Sequence, residues 1–412
     1  MITKWRREFN QQYTEAAYIA LLEYLEKQSG TAIQFRIAET PCFLPKTLLE
    51  DLSAIGTDLT NQLLDSPEYL ASSLSVIPEA YRMQGESSHP HFMTADFGFV
   101  RTPDGDLAPK LVELQAFPSV FALQVLFGEA YRKCYHLAPE LDFFLGGHDA
   151  ESFWKLFRQV VVGEHDPSEV VLVEIHPEQQ KTLPDFLLTS RHLGIATVDV
   201  TQLVVEREGG RTRLYYRPGD APKSGGLQRI ARMYNRVIVD ELIQKSIELP
   251  FDYREDLDVE WAGHPNWYFR ISKYSIPFLK HESVPEAVFL DDWLAGAGSN
   301  RLHQDRKDIL LKPLFSFAGK GILFAPTDEE IAAIPPAAGH EYLVQERVDF
   351  APVIETPFGP TQAEIRILYL WPDEGTMQPV LSLARLGRGK MMGVDHNRDQ
   401  KWVGASTTYF PK

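Results

Sequence analysis

The sequence predicts an α+β protein of two or three packed lobes, one of them a small α/β unit. Three observations carry this expectation. A chain of 412 residues is longer than a single hydrophobic core usually organises. Between Val170 and Val200 an apolar run, a helical stretch and a second apolar run follow one another as a βαβ pattern. Beyond Trp261, strands and short helices alternate as they do in an α+β lobe.

In chain order, apolar residues recur at helical spacing from Phe9 to Lys27, with Gly30 as the stop signal. Thr47 to Leu64 reads as a second helix. His91 to Val100 and Lys110 to Ala116 read as strands of a hairpin turned at Pro103-Asp104-Gly105. Gly146 to Val162 is helical, and the βαβ segment places a helix from Lys181 to His192 between its strands. A charged hairpin turns at Gly209-Gly210, a strand follows at Arg232 to Tyr234, and a helix at Arg236 to Ile247. The acidic stretch Asp252 to Glu260 reads as a linker. After it come a helix near Lys273 to His281, strands at Asp308 to Leu314 and Ile322 to Ala325, a helix at Glu329 to Ile334, and strands at Glu341 to Val348 and Glu364 to Trp371.

With 44% hydrophobic, 24% charged and 11% aromatic residues, the composition is that of an ordinary folded protein. A formal charge of −16 with no basic stripe excludes broad nucleic-acid binding. A small anion in a cleft stays compatible, because a few lysines and a metal ion set the local potential. Cys42 and Cys134 are too few for a disulfide framework, which fits a reducing compartment. The N-terminus runs straight into a charged helical pattern, and no run of about 18 apolar residues occurs. The expectation is a soluble, cytoplasmic protein.

The segment Ile309-Leu310-Leu311-Lys312-Pro313-Leu314-Phe315-Ser316-Phe317-Ala318-Gly319-Lys320-Gly321-Ile322 is a strand ending in lysine, a small-residue turn and a returning strand. Lys312 offers a compact charge to phosphate oxygens. Ser316, Gly319 and Gly321 let backbone N–H groups approach a polyphosphate. It is not a P-loop, since the Gly-Lys-Ser/Thr ending and following helix are absent. A tight hairpin with an incidental lysine is the competing reading.

This segment resembles the ATP-grasp superfamily, in which a lysine-proline strand and a glycine-rich flap cover the nucleotide phosphates. Ser272-Lys273-Tyr274 resembles the family's earlier lysine helix, which makes Lys273 a second phosphate contact. Glu341 to Val348 resembles the hinge strand, so that Gln345, Glu346 and Val348 would meet adenine and ribose. The superfamily's metal ligands, an Asp and then Glu-x-Asn on adjacent strands, are absent from the end of the chain. They are found near its start, as Asp96 in Thr94-Ala95-Asp96-Phe97 and as Glu113 and Gln115 in Leu111-Val112-Glu113-Leu114-Gln115. Glu113 and Gln115 are two apart on a strand and share a face, and the hairpin can bring Asp96 beside them. Two carboxylates and an amide oxygen facing a polyphosphate suit Mg²⁺; a polar sheet face is the plainer alternative.

This order resembles the glutathionylspermidine-synthetase-like, circularly permuted carboxylate–amine ligases. The resemblance implies an ATP-grasp fold in permuted order with a small α/β pre-ATP-grasp lobe. It divides the chain into a metal-binding half with helices over 1–165, a pre-ATP-grasp-like lobe over 166–260, and a nucleotide-binding half over 261–412. Two positions depart from the pattern: Gln115 stands where the branch has Asn, and Thr94 where the superfamily often has Arg. The charge that stabilises phosphoryl transfer must then come from elsewhere, and Arg366 and Arg385 are the candidates.

The implied activity is ATP- and Mg²⁺-dependent joining of a small-molecule carboxylate to an amine through an acylphosphate, with ADP released. No nucleic-acid or membrane partner is expected. Two alternatives are a catalytically degenerate ATP-binding protein and an ATP-dependent phosphotransferase on the same scaffold. The lack of a nucleophile elbow and the isolated histidines speak against a Ser/His/Asp or Cys/His hydrolase.

Overall fold

The structure, a computed structural model, describes residues 1–219, 226–315, 321–389 and 399–412. It is a mixed fold of helices and several sheets. The largest sheet has eight strands, in the order Cys42–Phe43, Gly404–Pro411, Gln378–Gly387, Thr361–Leu370, Phe92–Arg101 and Leu107–Gln115, with Pro352–Ile354 and Leu141–Asp142 at its margins. Its long strands pair antiparallel. The expected hairpin is there, turned through Gly105 at φ +92°. The sheet joins strands of the expected 1–165 segment to strands of the expected 261–412 segment.

Alternation along the strands decides which residues meet the core and which are left for chemistry. Ala95, Phe97, Ile365, Ile367 and Tyr369 point to one face and pack with Leu49, Leu52 and Leu59 of the Lys46–Leu64 helix. Asp96, Glu364 and Arg366, one residue out of phase, project from the other. On that second face the Phe121–Cys134 helix lies over the sheet, its Phe121 ring 5.5 Å from that of Phe92.

A second sheet is parallel, in the order Glu260–Ala262, Arg232–Asn235, Val170–Glu174, Ala196–Asp199, and contains the expected βαβ unit around the Leu183–Leu193 helix. A third is antiparallel, in the order Ala287–Phe289, Tyr342–Glu346, Ile309–Pro313, Leu323–Phe324. Among the described residues no helix is long and apolar enough to cross a membrane.

Several elements differ from expectation, each for a local reason. The N-terminal helix is two, Thr3–Gln12 and Glu15–Ser29, because the Thr14 hydroxyl accepts the Ala17 N–H at 3.2 Å and starts a new helix. The helix expected from Arg236 covers only Val239–Gln244, since the Arg236 N–H still bonds the Val173 carbonyl in the parallel sheet. Lys273–Phe278 is a 3₁₀ turn containing Pro277. The acidic stretch read as a linker carries buried Tyr253 and leads into the Glu260–Ala262 strand of the parallel sheet. The Phe121–Cys134 helix and the last two long strands were not expected. The helix is buried almost all round, and the strands are buried on both faces, so neither shows the polar contrast that periodicity detects.

Candidate functional site

The three sheets enclose a cavity of about 1220 Å³. Its floor is the second face of the large sheet, where strand register brings residues from both ends of the chain together. Arg366 lies directly opposite Asp96, Asp96 opposite Glu113, and Glu364 opposite Arg385. Arg366 forks onto Asp96, Nε to Oδ1 at 2.6 Å and Nη2 to Oδ2 at 2.6 Å, while Nη2 also reaches Gln115 Oε1 at 3.3 Å. Arg385 Nη1 lies 3.3 Å from Asp96 Oδ2 and also donates to Glu364 Oε1.

The antiparallel sheet supplies one wall. Lys312, next to the end of its strand, shares a face with Leu310, and the register sets Gln345 beside Leu310, with Phe324 on the other side. All four line the cavity. Lys273 Nζ approaches Glu113 Oε1 at 3.9 Å and the Leu314 carbonyl at 3.5 Å. Two buried lysines and two arginines therefore face Asp96, Glu113 and Glu364.

Burial pushes the Lys312 ammonium down to about 8, with Glu113 opposing and Lys273 adding to the fall. Burial alone would raise Asp96, but the Arg366 and Arg385 guanidiniums hold it below the ordinary carboxylate value. Glu364 is raised by burial despite Arg385. The floor is thus a clamped ion network in which Lys312 carries the least compensated charge.

Of the expected site residues, Asp96, Glu113, Gln115, Lys273, Lys312, Gln345, Glu346, Val348, Arg366 and Arg385 all line the one cavity. Ser316 and Gly319 lie outside the described residues. Gly321 is absent from the lining; at φ +80° it makes the return of the hairpin against Pro313. Glu346 is paired with Arg301 at 2.7 Å, and Val348 lies two residues past its strand. The Gln345 side chain lines the cavity, but its Oε1 is enclosed and accepts no hydrogen bond among the described residues. No cluster of three or more His, Cys, Asp or Glu side chains gathers as a metal site among the described residues.

Glu174 and Ser119 also line the cavity and are not among the expected site residues. Arg236 was expected only as the start of a helix. Ser119 Oγ accepts from Arg366 Nη1 at 3.4 Å and its carbonyl accepts from Arg236 Nη1 at 3.1 Å, so it links the floor to the parallel sheet. Glu174 did carry a signal, a charged residue closing the apolar run of a parallel strand.

No family model matches the chain, and no curated protein matches its sequence. Among solved structures, a glutathione synthetase-like effector (GSS30) from Globodera pallida, in its apo form, superposes with a TM-score of 0.56 at 11% identity. The match covers 98% of this chain and 97% of that one, so the two share a fold from end to end.

Proposed function

We propose that this chain is a circularly permuted ATP-grasp ligase, which uses ATP to activate a small-molecule carboxylate for capture by an amine. The observation that supports it best is the convergence of Lys273, Lys312, Arg366 and Arg385 with Asp96 and Glu113 around one cavity. The Asp96–Arg366 contact alone joins positions 270 residues apart. The description of the solved neighbour as glutathione synthetase-like is in line with a ligase scaffold.

In this reading adenine lies against Leu310 and Phe324, its amino group facing the Gln345 side-chain amide, which lines the cavity. Lys312 and Lys273 take the phosphates. A substrate carboxylate oxygen attacks the γ-phosphorus, the bond to the bridging oxygen breaks, and ADP leaves with that electron pair. Arg366 and Arg385 neutralise charge on the transferring group. Glu113 and Gln115 fit a hard cation, because among the described residues Glu113 is held only by the long Lys273 contact and Gln115 by one long hydrogen bond from Arg366. Asp96 has both oxygens in the Arg366 fork and joins that set only when Arg366 turns to phosphate. Bound there, Mg²⁺ supplies charge neutralisation of the phosphates. The cavity favours small-molecule partners, and a cytoplasmic location accompanies the reading through the availability of ATP.

The same fork supports a second reading, a degenerate ATP-binding protein. An aspartate clamped by two arginines, with Thr94 in place of a further arginine, suits a site that holds nucleotide without turning it over. A phosphotransferase on this scaffold would differ in its product. Calorimetry with Mg·ATP, followed by ADP release across acid and amine pairs, separates the three. The ligase reading expects binding that weakens ~10–100-fold in Lys312→Ala and Glu113→Ala, the loss typical of charge-assisted contacts, and amine-dependent ADP release. Binding without ADP release selects the degenerate protein, and a phosphorylated product without amine dependence selects the phosphotransferase. Wild-type protein that binds no nucleotide rejects all of them.

A further inference from the structure

In an open parallel sheet, ligands lie beyond the carboxyl ends of the strands at the point where strand order reverses. The parallel sheet here has such a point. From Val170–Glu174 the chain crosses through a helix to Ala196–Asp199 on one side, and later returns as Arg232–Asn235 on the other. Glu174 ends the first of those two strands and Arg236 is the first residue past the other, and both line the large cavity. Glu174 is 4% exposed, and its Oε1 accepts the Ile175 N–H at 2.8 Å. Its Oε2 has no hydrogen-bond partner among the described residues and is not among the fully enclosed atoms, which leaves it to the cavity.

The crevice is set against the phosphate floor through Ser119, which contacts both Arg236 and Arg366. Arg236 is tied to the Pro118 and Ser119 carbonyls, with its guanidinium 5.5 Å from the Phe117 ring and 5.4 Å from that of Phe186. It does not close onto Glu174. Among the described residues Glu241, just beyond, is engaged through Oε1 alone, by Gln180 and Lys245. A buried carboxylate oxygen with no donor, beside a second carboxylate, is complementary to a compact cation that carries its own donors.

We propose that the crevice between the carboxyl ends of the Val170–Glu174 and Arg232–Asn235 strands binds the ammonium group of an organic amine, and that Glu174 takes its proton. The catalytic part rests on the ligase reading; the binding part does not. An ammonium has no lone pair and cannot attack an acylphosphate. Transfer of one proton to Glu174 Oε2 turns the N–H bonding pair into the nitrogen lone pair. The nitrogen then bonds to the acyl carbon as the carbon–oxygen bond to phosphate breaks. Phosphate leaves with that electron pair, and the remaining excess proton passes from nitrogen to it.

Burial pushes Glu174 up to about 8, with Arg236 and the Ile175 N–H opposing, Glu241 adding to the rise and Lys245 opposing; the Tyr253 phenol also faces it. At pH 7 the empty site therefore holds a proton that an arriving ammonium must expel. The test is calorimetric titration of the full chain with n-butylamine at pH 7, in buffers of different ionisation heat. Binding is expected to release the proton held by Glu174 in the empty site, read as a buffer-dependent binding heat. Glu174→Gln, near-isosteric, should abolish the release and weaken binding at least about tenfold. Glu174→Asp, which keeps the charge, should retain the release with weaker binding and covers a failure of the first variant to fold. No butylamine binding by wild type, binding without proton release, or equal affinity in Glu174→Gln overturns the proposal. Mg·ATP titrated separately tells the two readings apart: butylamine binding without nucleotide binding overturns the ligase reading alone, and the reverse overturns this one alone.

Discussion

Asp96→Asn should destabilise the protein by about 2–3 kcal/mol, and the structure says why the figure is not larger. Asp96 is 2% exposed and its two oxygens hold Arg366 in a fork and Arg385 at 3.3 Å. Removing one partner of a buried pair costs about 3–5 kcal/mol, because the remaining charge stays desolvated. Here Arg385 keeps Glu364 and Arg366 keeps Gln115 and Ser119, and asparagine retains one acceptor, so the loss falls just below that range. Unfolding entropy of about 2.1 cal/mol/K per residue over 412 residues converts the loss to a fall of about 3 °C in apparent melting temperature. Differential scanning calorimetry on wild type, Asp96→Asn, Arg366→Met and the double variant reads the coupling directly. The double variant should recover most of the loss, because no lone charge is left buried. Since the folded Asp96 lies below its ordinary 3.8, the stability it contributes is present above that value and lost as pH falls below it. If Asp96→Asn melts with wild type at pH 7, or if the two single losses simply add, the clamp does not hold this site together.

Three further outcomes follow from particular contacts. Lys312 sits below its ordinary 10.5, so the unfolded chain binds more protons between about 8 and 10.5; over that range stability should rise with pH while Mg·ATP affinity falls, and Lys312→Met should remove both trends in urea melts and ATP titrations. Gly56→Ala would drive a Cβ into the Tyr369 hydroxyl and against Ala95, where the Lys46–Leu64 helix meets the large sheet, and should cost about 1–3 kcal/mol by urea unfolding. Gln345→Leu should weaken ATP ~10-fold and leave inosine triphosphate unchanged, because only adenine offers an amino donor to the Gln345 amide in the cavity wall; an equal loss for both nucleotides would contradict the assignment.

Features governed by neighbours in sequence were legible before the fold was known. The hairpin carrying Asp96, Glu113 and Gln115, the βαβ unit and the Lys312 strand each announce themselves through alternation, turn residues or helical spacing, which act over a few residues. Asp96, Glu113 and Lys312 could therefore be chosen as candidates, and Glu113 and Gln115 assigned to one face, from spacing and family resemblance together. What those residues do to one another belongs to the tertiary structure. That Arg366 stands opposite Asp96 depends on pairing between strands 270 residues apart, and that pairing takes both oxygens of an expected metal ligand. The Gln378–Gly387 and Gly404–Pro411 strands that complete the floor are buried on both faces and leave no periodic trace. Glu174 is a strand-ending carboxylate in the sequence; only the reversal of strand order beside it makes it the edge of a crevice. Local periodicity writes the elements, but burial and charge pairing arise when distant segments close on one another, and the chemistry of this site resides in that closure.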